Sequence, residues 1–324
     1  MRSKFLQLAG ALLLIASPSA MALGEAPDAW LKEMEKALEN TSFRGTFVYI
    51  HDDKAETMLV YHRAGKPGES GPRERLVSLN GSAREVLRDD DEIKCVLPDD
   101  KMVLVEKRHA PDTLARGLPL NASRYADYYE FELLGEGRIA GHGARMLAIK
   151  PRDGFRYGYR LWLEEKTALP LRSELVNEAG FPVEKMMFTE IEIGGPIDDA
   201  MLELSGIGED YTWHVRGGEQ DADVRESVPL AFESLPPGYA VTRSEVHLES
   251  ERPSWHVVLS DGLASVSVFA EPLEEGKPAL AGLSRLGAVN AFGLRLAQHH
   301  VTVVGEVPQA TVAAIGEAVR YTGE

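Results

Sequence analysis

Paired polar residues that could carry out catalysis or bind a metal are scarce in this sequence. Asp89 to Glu92 form an acidic run, but it lacks the spaced ligands and the glycine of a calcium loop. His299 and His300 could bind zinc, but no third and fourth ligands lie at an obvious spacing. The motifs of nucleophile elbows, zinc proteases, paired cysteines and phosphate loops are missing. The sequence therefore predicts no catalytic residue, no metal site and no cofactor.

Cys95 is the only cysteine, so the chain cannot form an intramolecular disulfide. An unpaired thiol is either reactive, able to pair between chains, or simply buried. Its neighbours Ile93, Val96 and Leu97 have the composition of a strand. We therefore predict a buried and unreactive thiol.

The segment from Phe155 to Leu163 carries the most binding chemistry, because aromatic, aliphatic and basic side chains alternate along it. On a β-strand, alternate side chains point to opposite faces of the sheet. That face is either part of an ordinary core or the wall of a cavity for an apolar ligand. The residues that would share it are Phe155, Tyr157, Tyr159, Leu161 and Leu163.

A cavity wall of this kind would include residues from other strands. Met186 and Phe188 are available for it, and flexible thioethers suit a site that accepts variable chains. On the cavity interpretation the ligand is apolar. The candidate ligand-binding residues are Phe47, Tyr49, Met58, Phe155, Tyr157, Tyr159, Leu161 and Met187.

A large sheet is needed to position these residues. Strand-like runs follow one another from Thr46 to Ile193, separated by turn signals such as Asn80-Gly81. No helices alternate with these runs, which favours an antiparallel meander. A meander of about ten strands should curl, and helices can then cover its concave face.

Two helices are predicted at the ends of the mature chain. The first begins near Asp28, and the last begins at Pro308. The first has an apolar stripe of Trp30, Met34 and Leu38, and the last has one of Val312, Ile315 and Val319.

The N-terminus has the layout of a secretory signal peptide. Arg2 and Lys4 precede an apolar run from Phe5 to Ala16, and small residues end the segment at Ala20 to Ala22. The apolar run is too short for a membrane span, which needs roughly 20 residues. We therefore expect cleavage after Ala22 and export to the periplasm.

The mature chain divides into two domains, because glycines and acidic residues interrupt the strand pattern between them. The predicted fold class is mostly β with helices (α+β), with a smaller α+β domain at the C-terminus. The predicted boundaries are 1–22 for the signal peptide, 23–204 for the N-terminal domain, 205–227 for the linker and 228–324 for the C-terminal domain.

The charge of the chain limits its partners. The 324 residues carry a formal net charge of −16, so a nucleic acid is excluded as a partner on electrostatic grounds. A lipid partner would have to be held by shape and apolar surface, since the acidic balance offers it little attraction. The sequence leaves a homo-oligomer open.

Several runs of this sequence, in the same order along both domains, resemble the RseB/MucB family. They are Gly45 to Tyr49, Glu74 to Gly81, Arg84 to Val86, Arg156 to Leu163, Ser260 to Phe269 and Val301 to Pro308. The resemblance implies an N-terminal domain similar to LolA and LolB, which is a curled antiparallel sheet covered by helices. It also implies a smaller C-terminal domain that binds an anti-sigma factor.

The resemblance also implies a function. The chain would bind the periplasmic part of a membrane-spanning anti-sigma factor of the RseA/MucA type and shield it from the site-1 protease. Lipopolysaccharide or mislocalised lipoprotein would release it. The alternatives are a lipid or lipoprotein carrier and an envelope enzyme. The candidate partner-binding residues lie in one hairpin of the C-terminal domain and are Asp261, Gly262, Val266 and Phe269.

Overall fold

The computed structural model describes residues 26–65, 71–89, 92–107, 125–216, 228–247, 253–273 and 281–323. Within them the chain forms two units, each built around its own sheet. We call residues 26–216 the N-terminal unit and residues 228–323 the C-terminal unit. The predicted signal peptide and its cleavage site lie outside the described residues. In the described part of the chain, no helix has the length and apolar character that a membrane crossing requires.

The N-terminal unit contains helix α1 (Pro27–Asn40) and a sheet of twelve strands within the described residues. The strands are β1 (Phe43–His51), β2 (Lys54–Arg63), β3 (Arg73–Ser78), β4 (Glu85–Arg88), β5 (Glu92–Leu97), β6 (Met102–Lys107), β7 (Tyr129–Ile139), β8 (His142–Pro151), β9 (Gly158–Glu164), β10 (Pro170–Val176), β11 (Pro182–Ile193) and β12 (Thr212–Arg216). Short 3-10 turns occur at Pro98–Asp100 and Asp199–Leu202.

The order of these strands across the sheet is β12-β6-β5-β4-β3-β2-β1-β11-β10-β9-β8-β7. Neighbours are antiparallel except β12 and β6, which run parallel. Strands β7 and β11 contact each other although three strands separate them in this order, so the sheet curls. The prediction of a curled antiparallel sheet is confirmed.

Helix α1 lies across the concave side of the sheet and contacts β7. It can begin at Pro27, because the first turn of a helix has no backbone hydrogen bond for a proline to remove. The helix ends before Thr41, which is extended and donates its backbone N–H to the carbonyl oxygen of Ala37. The predicted apolar stripe is its buried face, which consists of Trp30, Leu31, Met34, Ala37 and Leu38.

The C-terminal unit has a six-stranded sheet, a two-stranded sheet and helix α2 (Gln309–Ala318) within the described residues. The strands are β13 (Leu230–Phe232), β14 (Ala240–His247), β15 (Ser254–Ser260), β16 (Ser265–Pro272), β17 (Gly282–Leu286), β18 (Val289–Leu296), β19 (His299–Gly305) and β20 (Val319–Tyr321). Helix α2 packs on β18 and β19 and buries Val312 and Ile315, as the sequence predicts.

Three details differ from the predicted elements. Residues 212–216, expected in the linker, form β12 at the edge of the N-terminal sheet. Val319, expected on the last helix, lies in β20. The strand expected over the aromatic segment begins only at Gly158, because residues 152–156 are bent, and Phe155, Arg156 and Tyr157 contact the C-terminal unit.

Candidate binding site between the two units

A buried ion pair joins the two units. Arg156 precedes β9, and its guanidinium donates from Nη1 to Oδ2 of Asp261, at a distance of 2.6 Å. Both side chains are completely shielded from solvent. The other two nitrogens of Arg156 also donate, Nε to the carboxylate of Asp153 and Nη2 to the carbonyl oxygen of Pro237. Burial of these charges is tolerated because each is paired and hydrogen-bonded.

Aromatic rings surround this ion pair. The guanidinium carbon of Arg156 lies 4.9 Å, 5.4 Å and 5.3 Å from the ring centres of Tyr128, Tyr129 and Tyr239, which suits cation–π attraction. The Tyr129 hydroxyl donates to Oδ2 of Asp261 at 2.9 Å. Burial, and after it the Asp261 carboxylate, raises the pKa of Tyr129 above its ordinary value. The phenol therefore stays protonated and remains a donor.

Asp261 lies at the tip of the hairpin that joins β15 to β16. Its other carboxylate oxygen accepts the backbone N–H groups of Leu263 and Ala264 at 2.8 Å and 2.7 Å. Gly262 has a φ of +94°, a conformation that favours glycine, and its carbonyl oxygen accepts the Tyr125 hydroxyl. We call residues 261–264 the hairpin tip.

The hairpin tip carries an apolar side chain into the N-terminal unit. Leu263 is 4% exposed and belongs to the buried cluster that also holds Leu38, Phe43 and Tyr129. A residue of the C-terminal unit therefore completes the core of the N-terminal unit. Its burial is worth about 1.5–3 kcal/mol on the usual scale for a leucine side chain.

A second set of contacts surrounds Phe155 and Tyr157. The carbonyl oxygen of Phe155 accepts the hydroxyls of Tyr239 and Thr311 at 3.1 Å and 2.7 Å. The Tyr157 hydroxyl accepts Nδ2 of Asn290 at 3.0 Å. Phe155 packs against the core of the C-terminal unit, and Tyr157 packs with Leu175 and Ala288. This bend is thus a connection between the two units.

A cavity of about 220 Å³ opens beside these contacts. Most of its wall is apolar and comes from the concave face of the N-terminal sheet. Glu306, between β19 and helix α2, is its one lining residue from the C-terminal unit. The lining residues are Leu38, Phe43, Tyr49, Tyr159, Leu169, Pro170, Ser173, Leu175, Glu184, Lys185, Met186, Phe188 and Glu306.

Three charged residues line this cavity, namely Glu184, Lys185 and Glu306. Burial raises the pKa of Glu306 above its ordinary value, and the charge of Glu184 raises it further. Burial, followed by Glu184, also raises the pKa of Tyr49. Burial and Glu306 do the same for Tyr159. Both phenols are therefore neutral hydrogen-bonding groups in a mostly apolar wall.

The structure separates the eight candidate ligand-binding residues into four groups. Tyr49 and Tyr159 line the cavity. Phe155 and Tyr157 contact the C-terminal unit. Met187 is exposed and lies outside the cavity, whereas its neighbour Met186 lines the cavity. Met187 points away from the cavity that Met186 lines, because alternate residues of β11 point to opposite faces. Phe47, Met58 and Leu161 are buried in the core.

The candidate partner-binding residues are also in different environments. Asp261 and Gly262 are occupied by contacts with the N-terminal unit, so this arrangement does not expose them to a partner. Val266 is fully buried in the core of the C-terminal unit. Phe269 is partly buried and stacks on His256, with ring centres 4.3 Å apart. A continuous docking surface on this hairpin is therefore not present in the arrangement described.

Several contributors were missed by the sequence interpretation. Arg156 was expected on a polar outer face, yet it is the largest fully buried side chain among the described residues. Leu263 and Glu306 gave no signal, because their roles depend on contacts with the other unit.

The polar groups considered for metal binding have other surroundings. His299 packs its ring against Trp255, with centres 4.5 Å apart. Asp90 and Asp91 lie outside the described residues. Among the residues that are described, no group of three or more His, Cys, Asp or Glu could hold a metal ion. Cys95 is partly buried on β5, and burial raises the pKa of its thiol, which disfavours the reactive thiolate.

Comparison with known proteins covers both units. Residues 26–205 match the MucB/RseB N-terminal domain, and residues 225–320 match the MucB/RseB C-terminal domain. The chain is 34% identical over 324 residues to the sigma factor AlgU regulatory protein MucB of Pseudomonas aeruginosa, covering 95% of this chain and 96% of that protein.

Two solved structures of MucB resemble the present one. The crystal structure of MucB in complex with MucA(peri) matches with a TM-score of 0.71 and 31% identity, covering 92% of this chain and 100% of that chain. The crystal structure of MucB matches with a TM-score of 0.61 and 32% identity, covering 90% and 96%. Sequence and fold agree over both units, and the chain therefore belongs to the MucB/RseB family.

Proposed function

We propose that this chain is a periplasmic regulator that binds the periplasmic part of an anti-sigma factor of the MucA/RseA type. By binding, it shields that factor from the site-1 protease. The observation that carries the proposal is the match to MucB over both units, with 34% identity over 324 residues. The chain also superposes more closely on MucB bound to MucA(peri) than on MucB solved without that partner.

We further propose that a lipid reverses this binding. The cavity supports the proposal, because apolar walls with a few polar groups are the usual form of a small-molecule site. Met186 adds a flexible thioether to the wall, and Tyr49 and Tyr159 add neutral hydroxyls. An acyl chain would occupy the apolar part, and the signal would be lipopolysaccharide or mislocalised lipoprotein.

A protection assay tests the function. The purified periplasmic fragment of the cognate anti-sigma factor is digested by the site-1 protease with and without this chain. We expect slower cleavage when the chain is present in excess, and restored cleavage after lipopolysaccharide is added. Lipid binding without protection would instead indicate a lipid carrier. Neither protection nor lipid binding would reject both functions.

Two companion proposals concern location and chemistry. We propose that the chain is exported after cleavage behind Ala22, and that it has no catalytic activity. The first rests on the signal-peptide layout of the sequence, and the second on the regulatory role named for its relatives. Mass spectrometry of the native protein should find Leu23 as its first residue, and a retained Met1 would contradict export.

We also propose that the units separate within residues 217–227. Strand β12 belongs to the N-terminal sheet, so the boundary expected at 205–227 becomes narrower. Exposed segments between domains are preferred sites of proteolytic nicking. Limited proteolysis should cut there first, and a first cut inside β12 would contradict this boundary.

A further inference from the structure

We propose that the place filled by Leu263 is a second lipid-binding site, which an acyl chain enters when the hairpin tip withdraws. The inference rests on the proposed lipid response, because it specifies where a lipid acts. We call this place the tip slot. Its walls belong to the buried core cluster of the N-terminal unit that includes Leu263.

The tip slot and the cavity share one buried core. Leu38 and Phe43 line the cavity, and both belong to the same buried cluster as Leu263. Withdrawal of Leu263 would leave an apolar space in the core that also lines the cavity. An empty apolar space is unfavourable, so a flexible acyl chain gains by filling it.

The hairpin tip is built to move as a unit. Asp261 holds the tip together by accepting the backbone N–H groups of Leu263 and Ala264, and these bonds lie within the hairpin itself. They persist whether or not the tip contacts the N-terminal unit. The tip therefore keeps its shape on withdrawal, and re-entry requires no refolding of the hairpin.

The polar contacts around the tip make withdrawal reversible. Arg156 and Asp261 are fully buried as a pair, and each regains its hydration when the units separate. Because desolvation opposes the attraction within a buried ion pair, such a pair adds little net stability. The Tyr129 hydroxyl can likewise exchange Asp261 for water. The apolar contact of Leu263 then remains a main force that closes this part of the interface.

An acyl chain in the tip slot would compete directly with Leu263. It can bind only when the tip is out, so it favours the open arrangement and couples lipid binding to separation of the units. A partner that binds only the closed arrangement then loses the same amount of binding free energy, because the lipid stabilises the open arrangement. The slot thus explains how an apolar ligand could change the relation between the two units.

The test measures binding of cis-parinaric acid, a fluorescent fatty acid, to the full mature chain. Leu263→Ala weakens the competitor, so we expect about tenfold tighter binding, equal to about 1.4 kcal/mol. The matched control is Leu286→Ala, which truncates a leucine of the same unit that is 77% exposed. Leu286→Ala should bind cis-parinaric acid with the same affinity as the natural chain. Thermal melts confirm that both variants are folded.

A second variant locks the units together without removing any core atom. A Cβ placed on Gly287 would lie 2.8 Å from Cγ of Asp52, so cysteines at these two positions can approach disulfide geometry. Asp52→Cys and Gly287→Cys are combined with Cys95→Ser, which prevents mispairing. The oxidised form should bind cis-parinaric acid at least tenfold more weakly than the reduced form. The reduced form also controls for strain at Gly287, where φ is +62°.

The outcomes separate this inference from the proposed function. Equal affinity in the natural chain, in Leu263→Ala and in the oxidised lock would overturn the tip slot, while lipid binding elsewhere in the cavity would stand. No binding by the natural chain would overturn the lipid response and the slot together. Protection of the anti-sigma fragment, measured on the same samples, reports the partner function independently of either result.

Discussion

Arg156 and Asp261 are opposite charges in a fully buried ion pair, whereas Glu184 and Glu306 are like charges that line one cavity. Each pair takes one residue from each unit. The first pair is enclosed by tyrosines and has every strong hydrogen-bonding group satisfied. In the second pair, burial and then the charge of Glu184 raise the pKa of Glu306, and both residues line a cavity between the units.

The difference suggests separate tasks for the two contacts. The ion pair fixes the position of one unit on the other, because a buried charge accepts only a partner in the right place. The carboxylate pair favours neither close approach nor full burial, and it keeps room for a ligand. The ion pair thus specifies how the two units are arranged, and the cavity beside the carboxylates can respond to a bound ligand.

The largest effect is expected from removing one member of the ion pair. Arg156→Ala leaves the Asp261 carboxylate buried without its cation, which typically destabilises a protein by about 3–5 kcal/mol. Urea unfolding of the full chain measures the loss. The control is Arg44→Ala, whose partner Glu192 is exposed, and that change should cost less than about 1 kcal/mol. Equal losses would mean that the buried contact does not fix the arrangement.

Two tyrosine variants test the same buried contact, with smaller expected losses of stability. Tyr129→Phe removes a hydrogen bond to a carboxylate, which is worth about 1.5–3 kcal/mol. Tyr239→Phe removes a hydrogen bond to the neutral carbonyl of Phe155, worth about 0.5–1.5 kcal/mol. Both rings stay beside Arg156, so cation–π contact is largely kept. Thermal melts should rank the two variants in that order, and the reverse order would argue against a special role for Asp261.

The sequence predicted the general fold well, because its signals are local. The apolar stripe of helix α1 and the turns between strands depend only on nearby residues. Position 158 shows where such signals fail. Alternation alone does not reveal where a strand starts, and Gly158 begins β9 where its backbone lies close to the Ile149 carbonyl oxygen. The extension of this strand back to Phe155 was therefore wrong.

The candidate site was less predictable, because its contacts are distant in sequence. Arg156 and Asp261 are 105 positions apart, and neither gives a local sign of its partner. Leu161 was assigned to a cavity or a core on equal grounds, and it is fully buried in the core. A charged residue at position 161 is therefore expected to unfold the N-terminal unit rather than silence a ligand response.

The role of the cavity can be tested by filling it with a larger side chain. Met186→Trp should occupy the space beside Tyr49 and Tyr159 and weaken binding of cis-parinaric acid about tenfold, or about 1.4 kcal/mol. Met187→Trp places the same ring on the opposite face of β11, where it meets solvent. Fluorescence titration of both variants compares the two faces. If both bind the probe equally well, the cavity is not the lipid site.

The smallest effect concerns the pH dependence of the carboxylate contact. The pKa of Glu306 is raised in the closed arrangement by burial and then by Glu184, so closure favours the protonated form. The stabilising contribution is present at low pH and is lost as pH rises through the ordinary glutamate value to the raised one. At neutral pH the ionised Glu306 therefore weakens the contact only slightly, because part of its side chain reaches solvent, which screens the charge.

Glu306→Gln should remove this dependence. The variant should melt slightly higher than the natural chain at neutral pH, and the difference should shrink as pH falls below the raised pKa of Glu306. Glu184→Gln should act in the same direction, since it removes the charge that faces Glu306 across the cavity. Glu317→Gln, on the exposed side of helix α2, provides the control and should not alter the pH profile. A constant difference at every pH would show that the substitution acts through packing, and the contrast between the two contacts would then not be electrostatic.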